Sequence, residues 1–121
     1  MENEKNEKKG AVQISEDVIA VIAATAAKEV EGVSKLVPVT SGLLFGKKQS
    51  KTKGIELEIT DNEVNFNVSI MALYNYKLRD VAQKVQNNIK DAVETMTGLK
   101  TSVINVVIAD IEFGSTASAA E

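Results

Sequence analysis

The sequence predicts an α+β domain in the order β-α-β-β-β-α-β, with two helices packed on one face of a mixed sheet. Three observations carry the prediction. Leu78, Val81, Ala82, Val85, Ile89, Ala92, Val93 and Met96 form one continuous apolar stripe at helical spacing. Residues 55–60 and 64–70 alternate apolar and polar side chains around a short polar turn, as a hairpin with one buried face does. Residues 103–111 carry apolar groups on both faces, which suggests a central strand. The long helix joins the strand before it to the strand after it, so those two strands are expected to be parallel, with a right-handed crossover.

In chain order, residues 1–10 form a charged tail with no apolar side chain beyond Met1, and disorder is expected there. Residues 11–14 read as a short strand. Ser15 is a good N-cap, Glu16 and Asp17 put negative charge in the positively polarised first turn, and Ile14 and Ile19 occupy the staple positions. Ile19, Ile22, Ala23, Ala26 and Val30 then make one apolar face, and Gly32 is placed to end the helix in a left-handed conformation. The small run from Ala23 to Ala27 lets this helix approach a neighbour closely. A second strand over residues 33–37 is stopped by Pro38.

Residues 40–53 are turn-rich and without period, a flexible basic loop. In the hairpin, Ile55, Leu57 and Ile59 oppose Glu56, Glu58 and Thr60, and Asp61, Asn62 and Glu63 supply turn chemistry. Val64, Phe66, Val68 and Ile70 then alternate with Asn65, Asn67 and Ser69. Gly98 caps the second helix. In the last strand Ile104, Val106 and Ile108 share one face, and Val103, Val107, Ala109 and Ile111 are assigned to the other. Asn105 interrupts the pattern and needs a hydrogen-bond partner if buried. Residues 114–121 read as a second disordered tail, which leaves one domain over residues 11–113.

Composition narrows the chemistry. With 121 residues, 44% hydrophobic but only 4% aromatic, the core must be aliphatic. The chain has no histidine and no cysteine. Ser-His-Asp and Cys-His catalysis, disulfides and sulfur-ligated metals are therefore excluded. Oxygen ligands remain, but no calcium-loop pattern is present, and no cofactor motif is found. No apolar run approaches the roughly 18 residues of a membrane span. No hydrophobic segment follows the charged N-terminus, so the expected location is cytoplasmic. These exclusions favour a protein that binds over one that converts.

Specific residues point further. Val12, Gln13, Ile14 and Ser15 lead to Val18, Ile19, Ile22 and Ala23, then to Ala26, Ala27, Glu29, Val30, Gly32 and Val33. Later come Lys53, Gly54 and Ile55, the run from Val81 to Gln86, Met96 to Leu99, and Val103 to Val106. This ordered set resembles the alkaline-shock, or envelope stress response, family of Gram-positive bacteria (Gls-type general stress proteins). The family usually has an aromatic followed by Gly after the strand that precedes the long helix; here the pair is Tyr74 and Asn75, and Asn tolerates the left-handed region. The resemblance implies a non-enzymatic, self-associating stress protein held beneath the membrane by a membrane-anchored partner. The segment from Val81 to Gln86 looks most like a branch linked to fatty-acid synthesis, which implies an effect on acetyl-CoA carboxylase subunits.

Two surfaces are candidates for contact. Lys47, Lys48, Lys51 and Lys53 lie within seven residues that hold no acid, and Leu43, Leu44 and Phe45 sit just before them, between Gly42 and Gly46. Such a loop suits an anionic membrane surface or an acidic partner; the plainer reading is a solvated loop. Gln83, Gln86 and Asn87 are uncharged and cheaper to desolvate than Lys or Glu, so this face of the second helix is a candidate for self-association. The plainer reading there is a solvated helix face. A KH-like nucleic-acid module is disfavoured: it wants a Gly-x-x-Gly loop between helices, whereas Gly42 and Gly46 enclose three residues and follow a strand. Glu56 and Glu58 share one strand face, and Asp110 and Glu112 another, which leaves a carboxylate route to catalysis; solvated acids are the plainer reading.

Overall fold

Ser15 opens the first helix. The computed structural model of the chain describes residues 10–39 and 53–113. In it, the Ser15 hydroxyl accepts a hydrogen bond from the Val18 N–H at 3.2 Å and caps α1, Glu16–Lys28. The cap satisfies one of the amides that a helix start leaves unpaired. Ile19, Ala20, Ala23, Ala24, Ala26 and Ala27 are buried along α1. The helix ends at Lys28, earlier than Gly32 suggests. Gly32 does adopt a left-handed conformation (φ 100°), but in the turn that leads into β1, Val33–Leu36. A Cβ at Gly32 would stand 2.7 Å from Val81 Cγ2, so the missing side chain also lets this turn reach the second helix.

The hairpin forms as the alternation predicts. β2, Ile55–Thr60, and β3, Glu63–Leu73, pair antiparallel from Ile55 opposite Val68 to Thr60 opposite Glu63. Asp61 and Asn62 make the turn, with Asp61 at φ 54°. Asn75, at φ 80°, takes the left-handed conformation its residue type tolerates, and α2, Leu78–Thr97, follows. Gly98 (φ 79°) ends α2, its N–H donating to the Glu94 carbonyl at 3.0 Å. The chain then enters β4, Lys100–Glu112.

β3 is the centre of the sheet. β4 runs parallel to it along its whole length, the crossover expected of a strand-helix-strand unit. Along its other edge β1 and β2 lie end to end, both antiparallel. The two meet at Ser69, whose carbonyl accepts from the Val37 N–H at 3.0 Å and whose N–H donates to the Gly54 carbonyl at 3.0 Å. Both helices cover one face. Val81, Val85, Ile89 and Val93 of α2 join the alanines of α1 over Val64, Phe66, Val68 and Ile70. The α+β class and the packing of both helices on one face follow the expectation.

Three details differ. Residues 11–14 form no strand and are exposed, Val12 at 90%. They pair with none of the described strands, and the observed order is α-β-β-β-α-β. β4 is not central: among the described strands it pairs with β3 alone. Its outward Val103 and Val107 stay 45% and 55% exposed. Finally, the sheet buries part of its second face as well. Glu56, Asn67 and Ser69, expected to face water, are buried, and the first two hydrogen-bond to each other across the strands. The expectations for the tails, residues 1–9 and 114–121, and for the loop over residues 40–52 fall outside the described residues.

Candidate functional site

The second face of the sheet carries a polar row set by register. Glu56 lies opposite Asn67, and Asn67 opposite Asn105, on three successive strands. Asn105 Nδ2 donates to Asn67 Oδ1 at 3.0 Å, and Asn67 Nδ2 donates to Glu56 Oε1 at 2.9 Å. Asn105 thus finds the partner its position demands. Among the described residues, Glu56 Oε2 is the buried side-chain oxygen left without one. Glu58, the other acid of that pair, is exposed, and the Ser34 hydroxyl donates to Glu112. No three carboxylates among the described residues converge on one point. The row is built for strand pairing: each group is used to hold the next.

Beside this row lies the exposed apolar surface. Val103 and Val107 flank Asn105 on the same face of β4, and at the C-terminal end Tyr74 and Phe113 stack with ring centroids 4.9 Å apart. Tyr74 is 59% and Phe113 69% exposed. None of these four stood among the sequence candidates. The available signal was the apolar character of β4 on both faces, which means a central strand or a strand with a contact to make. On the helical side, Val21, Ile22, Thr25, Ala26, Ala92 and Met96 line a shallow groove between α1 and α2.

The candidates on α2 divide. Gln83 and Asn87 are exposed and point away from the core. Gln86 is half-buried and donates through Nε2 to the Ile104 carbonyl at 2.9 Å, so it belongs to the edge of β4. Further along, Glu94 Oε1 pairs with Lys90 Nζ at 3.1 Å, and Oε2 accepts the Thr101 N–H at 2.9 Å and the Thr101 hydroxyl. The Thr101 amide and the Lys90 ammonium hold the Glu94 carboxyl below the usual carboxylate range. Of the basic stretch, Lys53 is exposed in the turn before β2, and Leu43, Leu44, Phe45, Lys47, Lys48 and Lys51 lie outside the described residues. Among the described residues no helix is long and apolar enough to cross a membrane.

Comparison with known proteins agrees with the resemblance read from the residues. The model of the alkaline-shock protein 23 family, described by a cell envelope-related function, matches residues 4–113. The chain is 33% identical over 111 residues to the uncharacterized protein YqhY of Bacillus subtilis, covering 89% of this chain and 82% of that one. It is 28% identical to the uncharacterized protein Spy1614 of Streptococcus pyogenes, covering 88% and 92% of the two chains. It is 26% identical to the uncharacterized protein YloU of Bacillus subtilis, covering 89% and 93%. No solved structure is a significant match. With nearly the whole folded chain inside the match, this protein belongs to the alkaline-shock protein 23 family of cell envelope-related function.

Proposed function

We propose that the chain is a non-enzymatic interaction module of the envelope and general stress response, which associates with itself and with a membrane-anchored protein partner. The observation that carries the reading is the exposed apolar surface of β4, Val103 at 45% and Val107 at 55%, beside a polar row in which Glu56, Asn67 and Asn105 are spent on pairing strands. Exposed apolar side chains gathered on one face of a strand suit a protein contact. The family's envelope-related description supports a partner that belongs to the cell envelope.

The test is crosslinking in cells followed by fractionation. Tagged chain should sediment with membranes and yield a crosslinked product containing a membrane protein. Val103→Asp with Val107→Asp should lose the product while keeping the parent's circular dichroism. A product containing carboxylase subunits instead would replace the scaffold reading with a metabolic one. A chain found free, with no product, overturns both. Liposomes with and without anionic lipid separate direct lipid contact through the basic stretch, which predicts sedimentation with the anionic vesicles alone.

A further inference from the structure

β4 is closed at the ends of its outer edge and open in the middle. The Lys100 N–H bonds the Asn62 carbonyl on the β3 side, at 3.1 Å. By alternation from there, allowing for the two bulges, Thr101, Ile104, Val106, Ile108 and Ile111 turn their backbone groups away from β3. Side chains take up the ends. Glu94 Oε2 accepts the Thr101 N–H at 2.9 Å and Asp110 Oδ1 accepts the Ile111 N–H at 2.8 Å; nearer the middle Gln86 donates to the Ile104 carbonyl at 2.9 Å, which leaves that oxygen's second lone pair for a strand partner. Among the described residues no strand lies along the stretch around Val106. An open edge of this kind is a template for another strand.

The side chains select which strand. The face of β4 turned away from the helices reads Lys100, Val103, Asn105, Val107, Asp110, with Ser102 and Ala109 taken up by the bulges. In chemistry this is a palindrome: cation, valine, asparagine, valine, acid. Placed antiparallel to itself about Asn105, the strand sets Val103 of one copy opposite Val107 of the other, and Lys100 opposite Asp110, each twice over. Moving the centre to Val106 would set Val103 against Asp110 and Asn105 against Val107. Among the described residues Lys100 makes no ion pair, so its charge is available. A two-fold axis normal to the sheet keeps both helical layers on one side, so outer face continues into outer face.

The geometry points to a two-fold dimer in which β4 pairs antiparallel with β4 of a second copy of this chain, centred on Asn105. The dimer deepens the self-association part of the reading above and rests on it; it needs no membrane partner.

Sedimentation velocity on the full chain tests it. The parent should show a two-chain species that grows with concentration. Lys100→Asp and Asp110→Lys should each weaken that species tenfold or more, because each sets like charges opposite one another at both ends. Mixing the two variants should restore it, since the mixed pair is again complementary. Glu112→Lys, outside the paired charges, should leave it unchanged. The chain has no cysteine, so Asn105→Cys gives an independent readout. In a non-hydrogen-bonded antiparallel pair the facing Cα atoms lie about 4.5 Å apart, within disulfide reach, so mild oxidation should link two copies. Lys35→Cys should stay single. Circular dichroism confirms that each variant is folded, and if Asn105→Cys is not, Val103→Cys with Val107→Cys takes its place. A parent that stays single at every concentration overturns the dimer while leaving the crosslink to a membrane protein standing. Charge variants that dimerise as well as the parent, or a mixture that does not recover, overturn the register.

Discussion

Asn67 is the residue on which the second face of the sheet depends. It accepts from Asn105 and donates to Glu56, so one amide links three strands. Asn67→Asp would set a second acid against Glu56 across a 2.9 Å contact with no water to screen it. Such a buried mismatch should cost about 3 kcal/mol or more in urea denaturation, and an unchanged midpoint would refute the account. Glu56→Gln should be tolerated by the same measure, since a neutral amide is cheaper to hold away from water than an acid with one oxygen unpaired. Glu94 gives a different signature because its carboxyl is held below the usual range. A depressed folded-state value adds stability that is fully present above the ordinary glutamate range. That stability is lost as pH falls through the depressed value. Glu94→Gln should therefore flatten the acid limb of the stability curve and leave the neutral plateau nearly parallel to the parent's.

Among the elements, α2 and its C-terminal cap were the most legible in the sequence. A helical stripe is a local property: Val81, Val85, Ile89 and Val93 are four residues apart and all buried, as their spacing requires. Gly98 and Asn75 were legible too, because left-handed backbone is written in residue type. Substitution should separate the two roles that glycine plays here. A Cβ at Gly98 meets nothing within 4 Å, so Gly98→Ala should cost about 1 kcal/mol of backbone strain alone. Gly32→Ala adds the 2.7 Å approach to Val81 and should lower the melting temperature further; equal losses would show that the turn yields. What sequence could not show was neighbourhood. β4 has the composition of a central strand, but its place depends on partners elsewhere in the chain. The polar row joins residues 11 and 38 positions apart, a distance at which period carries no information. The outer face of β2 and β3 was read as solvated because alternation tells which side a residue takes, not what that side meets.

For the molecule as a whole, β3 is the strand that every other described strand touches. Its amides should be the last to exchange with deuterium, and Phe66→Ala, in the middle of its core face, should cost about 4 kcal/mol. Faster exchange in β3 than in α2 would mean that the helical layer holds the sheet rather than the reverse. The outward amides of β4 should exchange early in the single chain and slow as concentration rises.

The meeting of β1 and β2 at Ser69 has a consequence for how the chain can be cut and varied. Val37 and Gly54 bond the same residue, so the polypeptide leaves the sheet and returns to it at a single gate. Those two hydrogen bonds hold the exit and the re-entry in register, and closure entropy changes only slowly with the length of chain between them. A short Gly-Ser bridge in place of residues 40–52 should therefore preserve the circular dichroism of the parent. It would remove Leu43, Leu44, Phe45, Lys47, Lys48 and Lys51 together. The gate makes the stretch a removable cassette: if anionic vesicles retain the parent and release the bridged chain, lipid contact belongs to the cassette and the rest of the fold is its mount.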